Sequence, residues 1–285
     1  MRQAIHAGSF YEKNANALTK QIQDCFSHDK GPGDLPVNKR LNKIKAVIAP
    51  HAGYQYSGPC AAWAYKEIAE SHFPELYIII GPNHANNGTF LSMDLWQTPF
   101  GEIRIDHVFA ELLMKKNGIK VNEDAHQKEH SIEVQLPFLQ FATQDRMHEL
   151  KILPIIIDDS CDLKKLALDI KETILETQRD VIFIVSSDFT HYGRMYHHVP
   201  FSIDVKKNIY AFDEQAIEFI KTKNPEGLLQ FHDEKISSIC GIYAIALLLH
   251  TVKIQKVSME QYYTSADLTE SDYKNSVSYA SIIIS

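Results

Sequence analysis

The sequence predicts an α/β protein with three layers, in which helices cover both faces of a mostly parallel central sheet. Apolar, β-branched runs recur along the chain, and segments with helical periodicity lie between them. These runs are apolar at consecutive positions, which is typical of strands in a parallel sheet that is buried on both faces. The predicted buried strands are residues 45–50, 76–81, 151–157 and 181–187.

The remaining elements complete this pattern. Because strands and helices mostly alternate along the chain, a layered α/β/α architecture is the natural arrangement. Two late runs, 256–264 and 276–284, alternate in polarity and are expected to add antiparallel strands at one side of the sheet. Helices are predicted over residues 14–26, 58–71, 105–117, 131–142, 162–177, 205–221 and 238–250.

The chain is predicted to form one domain spanning residues 1–285. This length is compatible with a single α/β domain, since such domains reach roughly 250 residues or more. The Gly- and Pro-rich segment 28–40 could be a surface loop or an interdomain linker. A surface loop is favoured, because the one helix predicted before it cannot bury a core alone.

Composition and charge exclude several classes of protein. The net charge of -7 lacks the basic footprint of proteins that bind nucleic acids or acidic membranes. The longest apolar run, 242–250, is shorter than the roughly 20 residues of a membrane-spanning helix. Four scattered cysteines and an N-terminus without an apolar signal segment favour a soluble protein of the reducing cytoplasm.

Histidines follow three of the predicted strands. His51 comes directly after the first strand, His84 after the second, and Asp188 and His191 after the fourth. In open α/β sheets, ligands bind beyond the carboxyl ends of the strands, so these side chains are expected to meet there. Any one of these histidines could instead cap a turn. Their joint placement in Gly-, Pro- and Asn-rich loops favours a shared site.

Cys240 is a fourth candidate for this site. Ser237 and Ser238 are good N-cap residues, so Cys240 is predicted to lie in the first turn of the apolar helix that follows. The free N–H groups and the dipole at a helix start would favour a thiolate, the form that binds metals. The alternative is a small buried residue that packs the start of the helix.

The segment 126–139 carries a further group of titratable residues. It resembles an HExxH motif only superficially, because the order is E-H-S-I-E. His130 and Glu133 would share a helix face, and Glu129 and Glu133 are expected to lie on a solvated face. His130 is expected either to reach the site, as a substrate contact or a support for the ligands, or to remain on the surface.

Six sequence motifs extend over nearly the whole chain: AGSFY (7–11), APHAGYQYSG (49–58), GPNH (81–84), EHSIEVQLPFL (129–139), SSDFTHYG (186–193) and SICG (238–241). In their content and order they resemble the motifs of the Memo family. This resemblance implies a fold similar to that of the class III extradiol (LigB-like) dioxygenases, which use non-haem Fe²⁺.

The resemblance also implies roles for individual residues. It assigns the metal ligands to His51, His84 and Cys240, and it places Asp188 and His191 in the same pocket, where a histidine acts as acid and base. The dioxygenases hold iron with two histidines and one carboxylate. The softer thiolate here makes copper or zinc plausible beside Fe²⁺, and it leaves ring cleavage open.

The favoured function is that of an iron- or copper-dependent oxidoreductase with an unknown small-molecule substrate, in which His191 shuttles protons while Asp188 or a neighbour holds its tautomer. Tyr54, Tyr56 and His130 would form the substrate wall. The alternative is a binding module whose vestigial pocket recognises phosphorylated or aromatic peptides, and a metal-dependent hydrolase is a weaker third option. The resemblance also suggests a pathway shared with radical-SAM and AMMECR-type proteins.

Overall fold

The computed structural model describes residues 1–37, 40, 42–116 and 118–285. Within them the helices are α1 Ala15–Ser27, α2 Tyr54–Glu70, α3 His107–Lys115, α4 Glu123–Gln127, α5 Gln135–Ala142, α6 Leu163–Thr177, α7 Val205–Lys221, α8 Pro225–Lys235, α9 Ile242–Thr251 and α10 Ser265–Thr269. The strands are β1 Ala46–Ala49, β2 Leu76–Pro82, β3 Phe90–Leu91, β4 Trp96–Thr98, β5 Gly101–Ile105, β6 Lys120–Val121, β7 Lys151–Ile157, β8 Val181–Ser186, β9 His191–Gly193, β10 Val257–Thr264 and β11 Asn275–Ile284.

These strands form one sheet with the order β10-β11-β1-β8-β2-β7-β3-β6. Three short strands pair beside this order: β5 pairs with β4 and β7, and β9 pairs with β11. The four central strands β1, β8, β2 and β7 are parallel to one another, and their side chains are almost all buried. The late strands β10 and β11 join antiparallel at the β1 side. The predicted buried strands and the antiparallel addition are therefore confirmed.

Two groups of helices cover the sheet. Helices α1, α2 and α5 pack on one another, and α2 also contacts β1 and β11. Helices α3, α6, α8 and α9 form a second group, in which α9 contacts β2 and β8. The predicted three-layer α/β/α fold is confirmed. Among the described residues, no helix combines the length and apolar character needed to cross a bilayer.

Several predicted boundaries need correction. Helix α2 begins at Tyr54 rather than at residue 58 and contains Pro59, which has no N–H to donate to the carbonyl oxygen of Gln55 one turn earlier. Helix α5 begins at Gln135 instead of 131, since residues 131–134 form turns. Helix α8 was not predicted. Residues 38 and 39 of the predicted loop, and residue 117 of a predicted helix, lie outside the described residues.

Candidate metal centre

Three neighbouring strands bring the predicted site residues to one edge of the sheet. Strand β8 lies between β1 and β2, and all three run in the same direction. His51 follows β1, His84 follows β2, and Asp188 and His191 follow β8. Because the carboxyl ends of these strands are adjacent, the four side chains collect at the same edge, as the sequence indicated.

Three histidines form the centre of this site. The side chains of His51, His84 and His130 each offer a ligand atom, and these atoms all lie within 4.8 Å of one another. The ring centroids are 5.4 Å apart for His51 and His84, and 5.2 Å apart for His51 and His130. His130 was expected in the substrate wall, whereas the structure places its ring in the same cluster as the two predicted ligands.

Ser186 determines which nitrogen of His51 carries the proton. The Ser186 hydroxyl donates to the carbonyl oxygen of Ser131 at 2.6 Å and accepts from Nε2 of Gln135 at 2.8 Å. Because the hydroxyl has already donated its one hydrogen, it can only accept from Nδ1 of His51, which lies 2.8 Å away. Nδ1 of His51 therefore carries the proton. The lone pair of His51 then lies on Nε2, the nitrogen that faces the sulfur of Cys240 at 3.2 Å.

Glu129 determines which nitrogen of His84 carries the proton. Its Oε1 atom accepts a hydrogen bond from Nδ1 of His84 at 3.0 Å, and its Oε2 atom accepts from the backbone N–H of His84 at 2.6 Å. Although burial opposes it, the hydrogen bond from His84 helps to lower the pKa of Glu129 to about 2. An ionised carboxylate that holds Nδ1–H directs Nε2 outward, as is usual for histidines that bind metals.

The prediction that Glu129 and Glu133 lie on a solvated helix face is wrong. Both residues are fully buried and lie before α5, where the turn aims them inward. Glu133 forms an ion pair with Arg2 and accepts a hydrogen bond from the Tyr11 hydroxyl at 2.6 Å. These partners are distant in sequence, so local periodicity alone gave no signal for them.

Cys240 lies beside His51, but its local structure differs from the prediction. Its Sγ atom is 3.2 Å from Nε2 of His51. Helix α9 starts at Ile242 with Gly241 as N-cap, so Cys240 precedes the helix rather than lying in its first turn. Ser238 does not cap the helix because its hydroxyl exchanges hydrogen bonds with the backbone of His191.

The environment of Cys240 also corrects the prediction of a thiolate. Burial, and then the charge of Asp188, raise the pKa of the Cys240 thiol well above its usual value. The thiol is therefore protonated at neutral pH when no metal is bound. A coordinated cation deprotonates such a thiol, so Cys240 can serve as a ligand only with the loss of its proton.

The hydrogen bonds of His191 determine which of its ring nitrogens carries the proton. Its Nδ1 atom lies 3.0 Å from the carbonyl oxygen of Phe189 and 3.1 Å from that of Ser238, so Nδ1 must be the protonated nitrogen. Two backbone carbonyl groups thus hold the tautomer of His191. The sequence had predicted this role for Asp188 or a neighbouring residue. The Asp188 carboxylate instead accepts a hydrogen bond from the backbone N–H of His51 at 2.8 Å. It fixes the loop that carries His51.

The two predicted tyrosines occupy different environments. Tyr54 is buried, and its hydroxyl donates to the Val134 carbonyl oxygen at 2.7 Å. That hydroxyl is occupied within the protein core. Tyr56 is 39% exposed, and Tyr196, which contacts His191 edge-on with centroids 5.2 Å apart, is 37% exposed. Aromatic rings near the site are therefore accessible to a ligand.

Electrostatics prepare the histidine cluster for a cation. Burial and the neighbouring imidazole of His130 lower the pKa of His51 well below its usual value. Burial and His84 lower the pKa of His130 to about 4. Both rings are therefore neutral at physiological pH and keep lone pairs for a metal. Imidazole nitrogens with a neighbouring sulfur fit Fe²⁺, Cu or Zn better than Mg²⁺ or Ca²⁺.

The fold and the site together define a class of protein, a three-layer α/β/α protein with histidines clustered at the carboxyl edge of its parallel strands. The family model described as Memo-like protein matches residues 2–283. A MEMO1 family protein of Methanopyrus kandleri is 36% identical over 285 residues, covering 97% of this chain and 96% of its own. One of Methanothermobacter thermautotrophicus is 35% identical over 292 residues, covering 98% and 99%.

The chain therefore belongs to the Memo family. The crystal structure of an uncharacterised Escherichia coli protein is also similar, with a TM-score of 0.53 and 13% identity. The match covers 85% of this chain and 100% of that one. At this level of identity the likeness supports the fold alone, and it agrees with the layered arrangement described above.

Proposed function

We propose that this protein is a metal-dependent oxidoreductase that acts on a small molecule, with Fe²⁺ as the first choice of metal and Cu or Zn as alternatives. The ligands in this proposal are His51, His84 and Cys240. The proposal rests on the hydrogen bonds that keep the proton of His51 and the proton of His84 on Nδ1. Both Nε2 lone pairs are left for a cation within the same cluster.

The other polar residues have separate roles in this proposal. A redox-active metal would supply one-electron chemistry and a binding position for substrate. His191 accepts or returns a proton through Nε2, because Nδ1 is held as a donor by two carbonyl groups. Asp188 holds the backbone of His51 in place, and the exposed side chain of Tyr56 is proposed to contact the substrate.

Metal analysis after anaerobic purification tests the proposal. The wild type is expected to contain about one equivalent of metal, whereas His51→Ala, His84→Ala and Cys240→Ala are expected to lose it. His28→Ala is a matched control, since this exposed histidine is not part of the cluster and its Nδ1 accepts a hydrogen bond from the backbone N–H of Lys30 at 2.9 Å. Unchanged metal content in all three site variants would contradict the proposed ligands.

A binding module is the second candidate function. It is supported by the exposed rings of Tyr56 and Tyr196, which could contact an aromatic or phosphorylated peptide. Cys240→Ser separates the two functions, because a peptide groove does not need the sulfur. Oxidoreduction of a small-molecule panel that disappears in Cys240→Ser favours the enzyme. Micromolar peptide binding that survives in Cys240→Ser, with a redox-inactive wild type, favours the module.

A further inference from the structure

The ring of His130 is held by packing at the mouth of the metal centre. It stacks on His84 with ring centroids 4.8 Å apart and an interplanar angle of 18°. Phe10 lies 4.8 Å from it at a tilt of 37°, and His6 meets it edge-on at 5.7 Å. These contacts restrict the rotamers of His130, so its ring is already oriented before any ligand binds.

Glu129 connects His130 to His84. Its Oε1 atom accepts from Nδ1 of His84 at 3.0 Å and lies 3.4 Å from Nδ1 of His130. One buried carboxylate oxygen therefore lies against Nδ1 of both stacked rings, where it can orient His84 and His130 together.

We propose that His130 is a further metal ligand, and that Glu129 is the positioning residue that presents His84 and His130 together. This inference rests on the proposed function, because it requires a metal bound by His51 and His84. The three histidine ligand atoms lie within 4.8 Å of one another. With metal–nitrogen distances of about 2 Å, tetrahedral ligands are about 3.4 Å apart, so modest ring rotations suffice to surround an ion.

A ligand at His130 changes the expected chemistry of the centre. Cys240 lies 3.2 Å from Nε2 of His51, so three nitrogen atoms and one sulfur atom become available to the ion. Four protein ligands fill a tetrahedral shell, so a substrate would reach the metal by displacing one of them or as a fifth ligand. His130 is partly exposed, with 24% of its side chain accessible, so it is the member of the set that an incoming substrate would meet.

The test uses Co²⁺ as the probe, because its visible absorption reports the number and type of its ligands. We expect His130→Ala and Glu129→Gln each to weaken Co²⁺ binding by about 10- to 100-fold and to change the spectrum of the bound ion. His28→Ala is the matched control and should keep wild-type affinity and spectrum, because this exposed histidine is not part of the cluster. His6→Ala removes a ring that packs on His130 but is no proposed ligand, so it should weaken Co²⁺ binding less than His130→Ala.

The possible outcomes separate this inference from the proposed function. If His130→Ala binds Co²⁺ like the wild type while His51→Ala does not, His130 is no ligand and the proposed centre stands. If the wild type binds no Co²⁺, both are overturned. An equal loss in His6→Ala would assign the effect to packing and also overturn the inference. Urea midpoints close to that of the wild type confirm that each variant is folded.

Discussion

Replacing Arg2 with methionine tests how the second residue of the chain supports the metal centre. The Arg2 guanidinium is almost fully buried, forms an ion pair with Glu133 and lies over the Trp96 ring at 4.8 Å. It also donates to the backbone carbonyl oxygen of Glu129 at 2.8 Å and to that of His126 at 3.1 Å. Arg2 therefore holds the segment that carries both Glu129 and His130.

The expected loss of stability follows from the charge that is left behind. Removing one partner of a buried ion pair costs about 3–5 kcal/mol, because the other charge stays buried without compensation. Glu133 keeps hydrogen bonds from the Tyr11 hydroxyl at 2.6 Å and from the His6 backbone N–H at 2.9 Å, which offset part of this cost. We expect Arg2→Met to lower the free energy of unfolding by about 3 kcal/mol.

Urea denaturation followed by tryptophan fluorescence measures this loss, since Trp96 lies directly under Arg2. The double variant Arg2→Met/Glu133→Gln removes the stranded charge and should recover part of the stability. Lys20→Met, which breaks an exposed pair with Asp24, is the control and should change little. A loss below about 1 kcal/mol in Arg2→Met, with no recovery in the double variant, would refute the reasoning.

Three further predictions concern the site and its surroundings. Burial and Asp188 raise the pKa of the Cys240 thiol, so binding of a metal by Cys240 releases a proton. Metal affinity, measured by competition with a chelator, should therefore rise about tenfold per pH unit between pH 7 and 9. An affinity that does not change with pH would contradict ligation by Cys240. His191→Ala should keep the metal and lower turnover by about 10²–10⁴-fold, whereas loss of metal would make His191 a ligand. Ile236, at the end of α8, is 78% exposed and its backbone adopts the left-handed conformation, with φ +51°. This conformation strains a β-branched residue, so Ile236→Asn should stabilise the protein by about 1 kcal/mol. An unchanged thermal midpoint would show that the backbone strain is absent.

The strand pattern was sufficient to predict that the candidate site residues lie at one edge of the sheet. Consecutive apolar, β-branched residues identify the central strands, and in a parallel sheet the residues after each strand must emerge at the same edge. His51, His84 and His191 could therefore be placed together from the order of strands and loops alone, and the motifs around them indicated the Memo family. The late strands were also predictable, because their alternating polarity is a local property of the chain.

The polar contacts that arrange the site depended on tertiary structure. The local sequence around Glu129 and Glu133 is the same as that expected for residues on a solvated helix face. Their burial is favourable because of partners distant in the chain: His84 lies 45 residues from Glu129, and Arg2 lies 131 residues from Glu133. Cys240 was likewise placed one turn too far into its helix, because Ser238 serves the backbone of His191 instead of capping. Local patterns determine which elements form and which edge collects the side chains. The protonated nitrogen of each histidine is decided by hydrogen bonds between distant segments, because a buried donor or acceptor is stable only when it finds its partner.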